Sequence, residues 1–171
     1  EAARSAEVLA LEAEDRAEKA ERAEIARVPM DPGVYLVEDQ TLRPLKQTES
    51  KVVTNKGRSV LKVLSPVPVV AGKATVELDG NTSSVRVTND KPEFYFRLAS
   101  QERFALVRLT PKKNARIVQR WSIIPVTKEI VEEEDEVASL KRQLHEGLYK
   151  IWPINSLNAG EYALVEYTVG K

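Results

Sequence analysis

The sequence contains no cysteine and only one histidine, and both scarcities narrow the chemistry open to it. Without cysteine there is neither a disulfide framework nor a thiolate nucleophile, which fits the cytosol and a bacterial periplasm equally. One histidine, His145, excludes a histidine-rich metal site, and a lone histidine among polar neighbours is more often solvated than catalytic. We therefore predict no catalytic residue, no metal ligand and no cofactor.

The chain also lacks net charge and long apolar runs. Its 26 basic residues balance 26 acidic ones, so no basic excess favours nucleic acid or anionic lipid. No apolar run is long enough to span a bilayer. We expect an unidentified protein partner, no nucleic acid, and membrane contact only through an anchor outside this chain.

Residues 1–27 differ in composition from the rest, being rich in Ala, Glu and Arg and free of Gly and Pro. This composition predicts an α-helix. Alanines at alternating spacings of four and three form a narrow stripe along it: Ala6, Ala10, Ala13, Ala17 and Ala20. A solvated helix is the favoured interpretation, because Ala buries little surface, and a close-packed coiled coil is the alternative. We assign residues 1–27 as a stalk or linker helix, with self-association as a weaker addition, and residues 28–171 as a β-sandwich domain.

Beyond Gly33 the apolar residues alternate with a period of two, which predicts β-strands. Residues 92–110, PEFYFRLASQERFALVRLT, predict an antiparallel hairpin in which Phe96 lies opposite Leu106. All three phenylalanines would then share one buried face. Further hairpins are predicted around Asp39-Gln40 and around Asp79-Gly80. The predicted fold class is all-β, an antiparallel Greek-key-like β-sandwich with an N-terminal α-helix and one short inserted helix.

The inserted helix is predicted within residues 127–146, where the alternation stops. Five consecutive acids, residues 132–136, precede Val137, Leu140 and Leu144 at helical spacing. Acids at the start and bases near the end of this segment suit a helix dipole. An extended continuation through the acidic run is the alternative.

The loop before the last predicted strand reads LNAGEYAL, residues 157–164. It resembles the tyrosine corner of fibronectin type III and immunoglobulin-like domains, in which a tyrosine hydrogen-bonds to upstream backbone. The resemblance assigns Leu157, Gly160 and Tyr162 to a structural tyrosine corner. Across residues 33–169, the segments GVYL, EFYFRL, FALVRL, GLYKI and GEYAL are also similar to a group of uncharacterised bacterial β-sandwich proteins. That similarity implies an envelope or secreted protein and brings no known activity.

Three aromatic residues are candidates for stacking on a ligand: Trp121, Tyr149 and Trp152. They alternate with apolar neighbours, which favours packing in the core over ligand binding. An exposed, coplanar pair of the two tryptophans would favour a binding site.

The sequence thus predicts a non-catalytic structural or interaction domain of a bacterial envelope or secreted protein. A small-ligand or carbohydrate-binding module is the alternative. An enzyme using carboxylates such as Asp90 or Glu93 ranks last, because no motif places a pair of them. We expect a periplasmic or secreted location, with the cytoplasm as the alternative. A removed signal peptide and an artificial boundary within a longer chain would both explain why the chain begins at Glu1 rather than Met.

Overall fold

The computed structural model describes residues 2–54, 57–60, 72–99, 103–127 and 129–167. These residues form one helix and antiparallel β-sheets. The elements are α1 (Ala2–Arg27), β1 (Gly33–Glu38), β2 (Thr41–Leu45), β3 (Ser50–Thr54), β4 (Gly57–Val60), β5 (Gly72–Asp79), β6 (Phe94–Arg97), β7 (Arg103–Arg108), β8 (Thr110–Pro111), β9 (Ala115–Ile123), β10 (Ile130–Glu133), β11 (Asp135–Glu136), β12 (Ser139–His145), β13 (Leu148–Pro153) and β14 (Tyr162–Tyr167).

The chain divides into two compact units, and each takes segments from several parts of the sequence. Unit 1 comprises Glu1–Leu45, Glu93–Ser100 and Lys141–Ile151. Unit 2 comprises Lys46–Pro92, Gln101–Leu140 and Trp152–Lys171. The range 28–171, which the sequence assigned to one β domain, therefore contributes to both units.

The sheet of unit 1 has the strand order β12-β13-β6-β1-β2. The hairpin predicted around Asp39-Gln40 is confirmed, because β1 and β2 pair with Glu38 opposite Thr41. Asp39 takes a φ of 51°, the left-handed conformation that a tight two-residue turn requires and that Asp tolerates.

Helix α1 is docked on unit 1 by its last turn. Val28, just beyond the helix, is buried in a core cluster with Tyr35, Tyr95, Leu144 and Leu148, and Ile25 packs against it. The connection to β1 is held by side chains of the sheet, since Arg97 Nε donates to the carbonyl of Pro29 at 2.6 Å. The predicted N-terminal helix is confirmed, and its residues 5–23 are all exposed.

Unit 2 contains a six-stranded and a three-stranded sheet. Strands β10-β9-β5-β3-β4 form the first in this order, with β8 pairing β9, and β11-β7-β14 form the second. Both sheets contribute to one hydrophobic core, made of Val76, Leu78, Ala105, Val107, Leu109 and Val118. Ala163, Val165 and Tyr167 of β14 pack against the same core. Burial of alternate residues from two sheets is the arrangement of a β-sandwich.

The hairpin predicted within residues 92–110 is wrong in its pairing. Strand β6 pairs with β1 and β13, whereas β7 pairs with β11 and β14. Phe96 lies opposite Val34 and Tyr149 rather than Leu106. The phenylalanines are each buried as predicted, but β6 belongs to unit 1 and β7 to unit 2. Alternation identifies a strand and its buried face, and it leaves the choice of partner strand open.

The hairpin predicted around Asp79-Gly80 is also wrong. Strand β5 pairs with β3 and β9, and residues 84–88 form no strand. Gly80 adopts the expected positive φ of 78°, but its N–H donates to the carbonyl of Asn114, so the turn leads away from β5 without returning along it.

The short inserted helix predicted within residues 127–146 is wrong, and the extended alternative is the observed structure. The segment contains β10, β11 and β12. Extended backbone places alternate acids of the run on the same side. Glu132 and Glu134 therefore both accept from Gln119, and Glu134 and Glu136 both pair with Arg103. Pairing with β9 and β7 therefore overrides the helical spacing of the apolar residues.

Candidate functional site

A groove of about 210 Å³ lies in unit 2, between the β7–β11 pair and the loop that precedes β14. Its floor contains the apolar side chains Val137, Ala138 and Leu157. Polar side chains from the strands and from the loop line the rest: Arg108, Asp135, Asn155, Ser156 and Asn158. This lining is more polar than that of the usual small-molecule site, which is predominantly apolar, and it offers several hydrogen-bonding groups.

Arg108 occupies the centre of this groove because it ends the middle strand of the three-stranded sheet. Asp135 of β11 lies opposite it on one side, and Tyr162 of β14 lies opposite it on the other. Its guanidinium carbon is 5.9 Å from the centroid of the Tyr162 ring, within the range of a cation–π contact. A β-carbon at Gly160 would stand 3.5 Å from Nη2 of Arg108, so the guanidinium runs close over this glycine.

The loop of the groove is fixed to its surroundings at several points. The backbone N–H of Ile154 donates to the carbonyl of Ala138 at 2.9 Å, and that of Leu157 donates to Asp90 at 2.7 Å. Tyr162 Oη donates to the carbonyl of Asn158 at 2.8 Å. This last bond, from the first residue of a late strand to backbone four residues upstream, is the kind that a tyrosine corner makes. The loop therefore presents its polar side chains from a braced backbone.

The three aromatic candidates for ligand stacking lie elsewhere, since none of them lines the groove. Trp121 is half-buried against the core of unit 2, and its indole N–H donates to Gln119 at 2.6 Å. Trp152 is half-buried in β13, and Tyr149 lies in unit 1 opposite Phe96. Sequence reasoning missed Arg108 because a single arginine at a strand end carries no motif, and only the pairing with β11 and β14 gives it its neighbours.

A second polar cluster in unit 2 surrounds Glu134, within the acidic run. Tyr167 Oη donates to its carboxylate, and Arg103 pairs with both Glu134 and Glu136 at 3.3 Å. Burial and the hydrogen bond to Glu134 together raise the pKa of Tyr167, so the phenol stays protonated. Arg103 also stacks 4.5 Å above the Tyr167 ring. This cluster is internally paired and joins β7, β14 and the acidic segment.

In unit 1, Glu24 joins α1 to the sheet. Its carboxylate accepts a hydrogen bond from Tyr95 Oη at 2.7 Å and pairs with Lys150 at 3.3 Å and with Arg142. Partial burial by itself would raise the pKa of Glu24, but the Tyr95 hydrogen bond and the two cations outweigh it and lower the pKa. Glu24 is therefore ionised at neutral pH.

Two classes of feature are absent from the residues that the structure describes. No group of three or more histidine, cysteine, aspartate or glutamate side chains among them is arranged to hold a metal ion. The described part of the chain likewise contains no helix that is both long and apolar enough to cross a membrane.

Comparison of the chain with protein-family models, with curated proteins and with solved structures finds no match. The function therefore has to be argued from the geometry of the helix and the groove.

Proposed function

We propose that the protein is a non-catalytic structural or interaction domain, and that helix α1 is its contact surface for a second copy of the chain. The observation that supports this proposal is the difference in burial along the helix. Every residue from 5 to 23 is exposed, whereas Glu24 and Ile25 are half-buried and Val28 is buried. The helix is thus held at its C-terminal end, and the rest of its length is exposed to solvent.

The exposed part of α1 is not expected to be a stable helix without further contacts. An isolated helix of this length is marginal in water even when it is Ala-rich. Its larger apolar side chains, Val8, Leu9 and Leu11, are at least half exposed. Leu9 lies within about 60° of the centre of the alanine stripe, so a helix packed there would cover it, whereas Val8 and Leu11 lie on the opposite face.

The alanine stripe supports a second copy as the partner. Ala6, Ala10, Ala13, Ala17 and Ala20 follow the alternating spacing of a heptad seam, and small residues let two helices approach closely. Glu24 falls four residues after Ala20, so the stripe continues into the docked turn. Glu7, Glu14 and Glu21 flank the stripe on one side and Arg16 flanks it on the other, so two parallel copies related by a two-fold axis can bring opposite charges together.

The proposal also includes the type of β-sandwich and the cellular location of the protein. A Greek-key-like, immunoglobulin-like sandwich is supported by the shared core of the two sheets in unit 2 and by the Tyr162 hydrogen bond. A bacterial envelope or secreted role is supported by the similarity of the aromatic segments to bacterial β-sandwich proteins. A periplasmic or secreted location follows from that role, and a cytoplasmic location is the alternative.

Sedimentation equilibrium of the full chain tests the contact surface. We expect a concentration-dependent dimer, and we expect Ala13→Lys to weaken it by about tenfold or more, because a charge would enter a close-packed seam. Ala23→Lys is the matched control, since Ala23 is exposed on the same helix but about 100° away from the stripe. A chain that stays monomeric at all concentrations, or equal effects of the two substitutions, would overturn the proposal.

A further inference from the structure

The groove in unit 2 contains an arginine and an aspartate that face each other across neighbouring strands without forming an ion pair. Arg108 and Asp135 are opposite in the β7–β11 register, and both are exposed. Among the described residues, the cation–π contact with Tyr162 is the one interaction of the Arg108 guanidinium, and the Asp135 carboxylate makes no hydrogen bond or ion pair. The guanidinium and the carboxylate are therefore both available to a molecule in the groove.

The loop side of the groove adds neutral hydrogen-bonding groups. Asn155, Ser156 and Asn158 offer amide and hydroxyl groups that both donate and accept, and all three are exposed. The backbone of the loop is held by hydrogen bonds from Ile154 to Ala138 and from Leu157 to Asp90. Little ordering of the loop is then needed on binding, which favours affinity.

The chemistry of this lining selects among ligands. A guanidinium binds a carboxylate with two parallel hydrogen bonds. The adjacent carboxylate of Asp135 repels a dianion such as phosphate more strongly than a singly charged carboxylate, and it accepts hydrogen bonds from hydroxyl groups. Amides and a hydroxyl bind the hydroxyl groups of a sugar equally well. The groove of about 210 Å³ exceeds the roughly 150 Å³ of an apolar cavity that holds benzene, so a six-membered ring fits.

We propose that this groove binds a hexuronic acid residue of an acidic polysaccharide, with Arg108 on the sugar carboxylate and Asp135, Asn155 and Ser156 on its hydroxyl groups. The site is independent of helix α1 and of the dimer proposed above. It differs from a stacking platform, because the carboxylate and the hydroxyl groups of the sugar provide the recognition.

Titration of the full chain with trigalacturonate, followed by NMR chemical shifts and calorimetry, tests this site. We expect saturable binding with shifts at residues 155–158, and no comparable binding of the carboxyl-reduced trisaccharide. Arg108→Gln should raise Kd by about tenfold or more, and Arg108→Lys should recover only part of the loss, because an ammonium lacks the planar fork. Arg120→Gln, an exposed arginine on β9, is the matched control and should leave Kd within about twofold.

Four outcomes would overturn the proposal. They are an absence of binding, equal binding of the carboxyl-reduced sugar, equal binding of inorganic phosphate, and equal weakening by Arg108→Gln and Arg120→Gln, which would indicate non-specific charge attraction. Asn155→Ala removes one loop contact without touching the sheet, so it tests the site even if Arg108→Gln impairs folding. It should weaken trigalacturonate binding, and an unchanged Kd would count against the groove.

Discussion

Glu24 is the residue on which the attachment of helix α1 depends most. Glu24→Gln keeps the shape of the side chain and removes the charge that Tyr95, Lys150 and Arg142 share. We expect it to lower the free energy of unfolding at pH 7 by about 1–3 kcal/mol in urea denaturation. Glu18→Gln, which affects only the exposed pair with Arg22, should cost less than about 0.5 kcal/mol.

The lowered pKa of Glu24 adds a pH dependence to this prediction. A carboxyl whose pKa is lower in the folded state stabilises the protein above its unfolded pKa of about 4.3. That contribution is lost as the pH falls through the folded pKa. The difference between wild type and Glu24→Gln should therefore shrink when the same denaturation is done in acid. A difference that stays constant would show that the charge of Glu24 is not what holds the helix.

Arg116 has the corresponding role in unit 2. Its side chain is 7% exposed, pairs with Glu161 at 3.2 Å, and donates to the carbonyls of Asp79 and Gly80. Removing one partner of such a cluster leaves the others desolvated, so Arg116→Ala should cost about 2–4 kcal/mol. Arg120→Ala, on the same strand but exposed, should change stability by less than about 0.5 kcal/mol. Equal effects in thermal or urea denaturation would contradict the structural role of Arg116.

At the scale of elements, two leucines of β12 lie on the same face of the strand but are covered unequally. In β12, Leu144 is buried in the core of unit 1, whereas Leu140 is about half exposed. Leu144→Ala should therefore cost about 2–4 kcal/mol and Leu140→Ala less than about 1 kcal/mol, measured by urea denaturation. On the amphipathic helix that the spacing suggested, both leucines would lie on the buried face, and the two costs would be similar.

The hydroxyl of Tyr162 makes a smaller prediction. Tyr162→Phe removes one hydrogen bond, to the carbonyl of Asn158, and keeps the ring beside Arg108. Because this bond is exposed to solvent, we expect a loss of about 0.5 kcal/mol, at the low end for one hydrogen bond. A melting curve identical to that of the wild type would show that the tyrosine hydroxyl does not contribute to stability.

The sequence predicts an element well when residues close together along the chain determine it. Helix α1 and the β1–β2 hairpin follow from composition and from a two-residue turn, and both are observed. The partners of β6 and β7 are distant in sequence, so the alternation of Phe94 and Phe96 could not identify them. The groove depends on the same distant pairing, because Asp135 and Tyr162 reach Arg108 only through β11 and β14.

At the scale of the whole molecule, the stability of the protein should depend on the last turn of α1, which contacts the rest of unit 1, and not on the exposed part before it. The sequence places a separable stalk at residues 1–27. The structure ends α1 at Arg27, but Glu24 and Ile25 contact the sheet and the core of unit 1. Two truncations should therefore differ, because residues 5–23 are exposed and the turn after them is docked.

Removing residues 1–12 should leave the melting temperature nearly unchanged, since the fifteen or so helical residues that remain still carry the docked turn. Removing residues 1–27 should lower it by about 5–10 °C, because the Glu24 bonds and the packing of Ile25 are lost together. Removing residues 1–12 should weaken the dimer in sedimentation equilibrium, since it removes Ala6 and Ala10, and removing residues 1–27 should abolish it, since the whole alanine stripe is lost. Equal melting temperatures for the two truncated chains would show that α1 is a stalk along its whole length. A large loss in the shorter truncation would show that the exposed part of the helix is needed for folding.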